Sequence, residues 1–257
     1  MINQLRTDFY RLRHTWGIYI TLIVTIAYSV IITLNNIVGG IWVVPIPTKI
    51  LNRLSNKIWT IKDGLSAVSM SSTLLMYVFI GIFVITIGYE FSQKTYKNTL
   101  TSGITRFSFV VSKYITMLLN IFILMLIYYS TSILVGLINH RTVGVNWITL
   151  LTDALDFSVV ISFFISIAFG IAIVILLVTG SIVVSSVFIV LFPIIISTLS
   201  QFVKWSWLKY FDFFSTALKI AFGMISSDQL WKYILISFIV LILTVGSAIL
   251  IIKNKEL

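Results

Sequence analysis

The chain is 257 residues long, 59% hydrophobic and only 10% charged, with a formal net charge of +10. So little charge excludes an ordinary soluble domain of this length, and the lack of cysteine excludes disulfides, thiolate metal sites and cysteine nucleophiles. The basic excess could suggest nucleic acid, but the lysines and arginines are spread over all the polar segments and no nucleic-acid motif accompanies them, so anionic lipid headgroups account for it better.

The first sixteen residues place Leu5, Phe9, Leu12 and Trp16 on one helical face and Arg6 and Arg13 on another. That pattern predicts a helix lying at the membrane interface and leading into a first span at 16–37. No secretory cleavage pattern follows the span, so an uncleaved helix is expected. Within it Thr21, Thr25, Ser29 and Thr33 recur every fourth position. Such a row is either a packing seam for another helix or a set of hydroxyls tolerated by lipid. Pro45 and Pro47 then block a continuous helix. Beyond them Ile50, Leu54, Ile58 and Ile61 form one stripe and Lys49, Arg53 and Lys57 another, which predicts an interfacial helix closed by a turn at Asp63-Gly64.

The second span is expected at 70–89 and the third at 114–138, with Tyr128 and Tyr129 near the far end of the latter. Asn139 to Phe157 reads as a polar connection; its His140, Asp153 and Asp156 lack the spacing of metal ligands, and Arg141 lies beside them. Ser158 to Ser200 is too long for one crossing at about 20 residues per span. It divides at Thr179-Gly180-Ser181 into spans at 158–178 and 182–200. Ser158, Ser162, Ser166 and Gly170 again repeat by four, a candidate packing or pathway seam, and Pro193 predicts a kink in the fifth span. The ring-rich stretch from Gln201 to Ser227 suits interfacial or re-entrant helices, and Ser226 with Gln229 has the pattern of a capping box before a sixth span at 230–252. The fold expected is all-α: one polytopic membrane domain of six transmembrane helices plus amphipathic interfacial helices.

Several chemistries are missing. No Gly-x-x-x-x-Gly-Lys-Ser/Thr loop is present to cradle nucleotide phosphates, and the two histidines lie outside the expected spans. No metal site and no catalytic residue is expected. Buried acids are confined to span edges, which argues against a midplane site for protons or sodium.

The longest basic interruption between two apolar spans runs from Glu90 to Lys113. Tyr96, Leu100 and Ile104 fall on one helical stripe there, with Lys97, Asn98, Thr101 and Ser102 off it, and Gly103 can end the helix in the left-handed conformation. Glu90, at the edge of the hydrocarbon, needs a partner: Lys94 is nearest in sequence, with Lys113 and Arg106 competing. Periodicity alone fits a protein partner and the lipid headgroups equally well.

The order Glu90, Thr95, Lys97, Leu100, Gly103, Arg106 and Lys113 resembles the cytoplasmic loop between the second and third spans of type-2 ABC exporter permeases. Lys94 departs from the pattern, since many relatives carry glycine before the threonine. The resemblance implies a coupling helix at about 94–104 that docks on a separate cytosolic ABC ATPase subunit holding ATP and Mg. Tyr96, Leu100 and Ile104 would enter a groove of that ATPase, with Lys94, Lys97 and Arg106 at its rim. It further implies a second membrane subunit, identical or paralogous, and a bacterial plasma membrane with both termini cytoplasmic. The short six-span form resembles exporters of phenol-soluble modulins and lantibiotic-immunity systems, with a hydrophobic or amphipathic peptide as cargo. A non-transporting scaffold or receptor and an ion-coupled carrier are the alternatives. Basic residues tie between the two sides, so orientation rests on the resemblance and on charge density in the shorter segments.

Overall fold

The computed structural model describes residues 2–40, 52–55, 58–203, 205 and 207–254. Helix α1 covers Ile2–Arg13 and α2 covers Trp16–Asn35. Helix α3, Ile61–Phe83, passes through a π turn at Val84–Gly88 into the short α4, Tyr89–Ser92. Then follow α5 at Tyr96–Thr101, α6 at Arg106–Ile138, α7 at Trp147–Thr179 and α8 at Ile182–Phe202. A 3-10 turn at Leu208–Tyr210, α9 at Phe213–Ala221 and α10 at Ser227–Asn254 complete the chain. Six of these stretches are long and apolar enough to cross a membrane. The protein is an all-α polytopic membrane protein.

The helices outrun the expected spans, and local capping shows why. Thr60 accepts from the Asp63 amide while the Asp63 carboxylate accepts from the Thr60 amide, so α3 starts at Ile61. Asp63-Gly64 is therefore the first turn of a span and not the close of an interfacial helix. That interfacial helix has Pro45, Pro47, Lys49, Ile50 and Lys57 outside the described residues; 52–54 are helical. Thr105 caps α6 by accepting from the Ser108 amide, which brings Arg106 and Lys113 into the helix. With Asn146 at its N-cap, α7 takes in Asp153 and Asp156, so the polar connection shrinks to residues 139–146. Among the described residues of the ring-rich segment, one full helix, α9, forms beside the 3-10 turn.

The connection at 139–146 is tied to the start of α3. The amides of Ile61 and Lys62 donate to the carbonyls of Thr142 and Val143 at 2.9 and 3.2 Å, and Lys62 pairs with Asp153. Gly144, at φ +80°, lies so close that an added Cβ would stand 2.6 Å from Thr60 Oγ1. Gly144→Ala is expected to lower stability by at least ~1 kcal/mol through the left-handed backbone alone. It should also disturb the cap of α3, and a thermal melt in detergent checks it.

Helices α6 and α7 form the centre, with half or more of their most apolar windows buried, whereas the windows of α8 and α10 are 17% and 11% buried. Those two helices present their sides to whatever surrounds the chain. On α2, Thr21, Thr25, Ser29 and Thr33 are all buried. Thr25 bonds back to the Thr21 carbonyl, while Ser29 donates across to the Tyr128 carbonyl at 2.8 Å and Thr33 to Ser132 at 3.0 Å. On α7, Ser158, Ser162 and Ser166 are buried, and the Tyr114 and Ser166 hydroxyls lie 2.7 Å apart. A Cβ at Gly170 would come within 3.4 Å of Thr244 on α10, so the glycine admits that helix closely. Pro193 lies inside α8, whose neighbours Ile194 and Ile195 are exposed.

Candidate functional site

The loop between α3 and α6 turns mainly polar side chains outward over residues 93–105. Lys94 turns the chain with φ +57°, a left-handed value that favours glycine, which accounts physically for a glycine at this point in similar loops. Helix α5 then runs Tyr96–Thr101, and Gly103 at φ +89° ends it, so the helix is shorter than the expected 94–104.

The apolar stripe of this helix is turned inward. Tyr96 and Leu100 are each 8% exposed and belong to the chain's own core, and Ile104 packs against it. The Tyr96 ring stacks on Phe91 with centroids 4.3 Å apart. In the single chain the stripe expected to enter a groove on a partner is thus packed against the chain's own core. The surface left outward is polar: Gln93, Lys94, Thr95, Asn98, Thr101, Ser102 and Gly103 are exposed, and Lys97 and Arg106 are partly so.

Beneath the loop lies a buried ion cluster. Lys113 is fully buried, pairs with Asp8 of α1, and donates to Glu90 Oε1 at 2.7 Å. Arg11 also pairs with Glu90 and reaches the Thr86 carbonyl inside the π turn at 2.5 Å. Two cations thus face two carboxylates, Lys113 fully buried and the Arg11 side chain still 32% exposed, and the pairing offsets the cost of taking the buried charges out of water. Burial pushes the Asp8 carboxyl above its ordinary 3.8, while the neighbouring Lys113 works the other way. Of the three candidates for Glu90, the structure selects Lys113; Lys94 is exposed and Arg106 is not among its partners.

Sequence reasoning missed Asp8 and Arg11. It placed Leu5, Phe9, Leu12 and Trp16 on the apolar face of an interfacial helix; in the structure the residues of α1 buried against the chain are Gln4, Asp8 and Leu12, and Trp16 is 83% exposed. A signal was available: Asp8 is the only acid before Asp63, in a helix that otherwise carries basic residues. A lone carboxylate there calls for an internal cation.

Among the described residues no group of three or more His, Cys, Asp or Glu side chains could hold a metal ion. The fold and this end of the bundle define a polytopic helical membrane protein with a structured, polar, outward loop rigidly fixed to two of its spans. Residues 4–192 match the family of ABC-2 family transporter proteins, and the chain belongs to that family. It is accordingly a membrane permease subunit of an ABC transporter, a class that associates with ABC ATPase subunits and membrane lipid. No curated protein matches the chain.

Proposed function

We propose that this permease exports hydrophobic or amphipathic peptides from bacteria, powered by ATP hydrolysed on a separate ATPase subunit that holds ATP and Mg. Two membrane subunits, identical or similar, would share the pathway, with both termini and the 93–105 loop in the cytoplasm. The loop serves as the coupling helix. Its outward surface, centred on Lys94, Asn98 and Thr101, rests on the ATPase, while Tyr96 and Leu100 fix it to the body of the permease.

One observation carries this reading: the loop is held from below by a buried set of charges on α1, α4 and α6, so a push on its polar face moves both adjoining spans together. Long helices transmit such a push because their backbone bonds are satisfied internally. The cargo class is supported by the spans themselves, whose buried polar groups are mainly hydroxyls with little fixed charge. The weakly buried sides of α2, α8 and α10 leave apolar surface for lipid or a second membrane subunit.

The test is reconstitution with its ABC ATPase in proteoliposomes loaded with an amphipathic helical peptide. Peptide movement should require ATP and persist when ion gradients are dissipated. Transport that survives ATP removal and collapses with an ion gradient would replace this reading with an ion-coupled carrier. ATPase binding with no transport of any peptide would leave a scaffold.

A further inference from the structure

The π turn at Val84–Gly88 interrupts an otherwise continuous helix from Ile61 to Ser92. Its wide register is visible in the Tyr89 amide, which donates to the Val84 carbonyl five residues back. Nothing in the local sequence forces this, since the turn contains no proline and only one glycine. The constraint comes from elsewhere in the chain. Arg11 donates one guanidinium nitrogen to the Thr86 carbonyl within the turn and another to Glu90 in the helix just after it. A single planar fork from α1 thus grips both sides of the register change.

The surroundings of the turn are equally specific. Ile85 lies over the start of α2, where a Cβ at Gly17 would stand 2.6 Å from Ile85 Cδ1. Gly88 lies against Ile182 at the start of α8, within 3.4 Å of where its own Cβ would be. The turn therefore meets α1, α2 and α8 at one point. In this register Thr86 Oγ1, Arg11 Nε, Asp8 Oδ2 and Glu90 Oε2 are buried with no hydrogen-bond partner among the described residues. Buried polar atoms in that state favour any rearrangement that pairs them.

We infer that Arg11 is a positioning residue for the transport cycle, holding the π turn as a joint between the second span and the loop. Returning the turn to α register would rotate α4 and the loop by about 100° relative to α3, the angle of one residue in an α-helix. Arg11 opposes that return by binding Thr86 and Glu90 at the spacing found in the π register. Movement of the loop reaches α2 and α8 through the contacts of Ile85 and Gly88. The clamp itself stands on the geometry; its part in transport rests on the proposed function above.

The experiment compares the full chain, in complex with its ATPase in lipid nanodiscs, with Arg11→Ala and Arg11→Lys. Amide hydrogen exchange is read over 84–92, with 65–80 as reference. Arg11→Ala should speed exchange at 84–92 by about tenfold or more and leave the reference unchanged. Lysine keeps the charge for Glu90 but has no second fork for the Thr86 carbonyl, so Arg11→Lys should stay fast. In proteoliposomes both variants should hydrolyse ATP yet move several-fold less peptide per ATP. Unchanged exchange in Arg11→Ala, or full restoration by Arg11→Lys, overturns the clamp. Faster exchange with normal peptide per ATP overturns the joint. If the wild-type chain neither binds the ATPase nor exports peptide, the transport reading fails, while the same exchange comparison on the full chain alone in nanodiscs still decides the clamp.

Discussion

Replacing Lys113 with methionine is expected to destabilise the protein by on the order of 3–5 kcal/mol, the usual cost of removing one member of a buried ion pair. The side chain it removes is fully buried and, among the described residues, is the one cation paired with Asp8 and Glu90 that does not reach solvent. Arg11 alone would then face two carboxylates, and its distance to Asp8 is already 3.8 Å. The consequence should appear first in α1, which the Lys113–Asp8 pair fastens to α6. In detergent, the variant should melt well below the wild type and its N-terminal segment should become open to protease.

A second substitution distinguishes lost pairing from lost packing. Adding Asp8→Asn to Lys113→Met removes the uncompensated carboxylate and leaves Glu90 with Arg11, a balanced pair. Neutral replacements of buried ion pairs are often tolerated, so the double variant should recover most of the melting temperature. A wild-type melt for Lys113→Met, or a double variant no better than the single one, would show that the cluster does not hold α1 in place.

How much of this could be read from residues depends on how far apart the interacting groups lie in the chain. Apolar run length and the Thr179-Gly180-Ser181 break were enough for six membrane helices, because the bilayer fixes the length of a crossing. Capping is a local signal as well, but the Thr60 and Asp63 box competes with Asp63-Gly64, which also has the form of a turn. The partner of Glu90 was half legible, since Lys113 is 23 residues away on the next span. Asp8 lies 105 residues from Lys113, and no periodicity reports such a pairing. The stripe of Tyr96, Leu100 and Ile104 is legible as a stripe, but a hydrophobic period says that a face is covered and not what covers it. The π turn left no trace in Val84-Ile-Thr-Ile-Gly88, because the residue that grips it is Arg11.

That inward stripe leads to the second large effect expected, which separates docking from folding. Lys94→Asp with Asn98→Asp should cut co-purification with the ABC ATPase at least about tenfold, equivalent to ~1.4 kcal/mol of binding, while leaving the permease as stable as the wild type. Both positions are exposed, and aspartate tolerates the left-handed backbone at residue 94 better than most residues. The double change reverses or adds charge on the outward surface without touching the core. Leu100→Asp should behave differently. It places a carboxylate in a site 8% exposed, beside Tyr96 and the core under it, with no cation among the residues of the stripe. An unpaired buried charge is costly, so this variant should melt lower and lose the ATPase because the loop itself is disordered. If instead Leu100→Asp keeps the wild-type melt and loses only the ATPase, while the exposed double variant binds normally, then the apolar stripe swings out to meet the partner. The polar face would then be the one that rests against lipid headgroups.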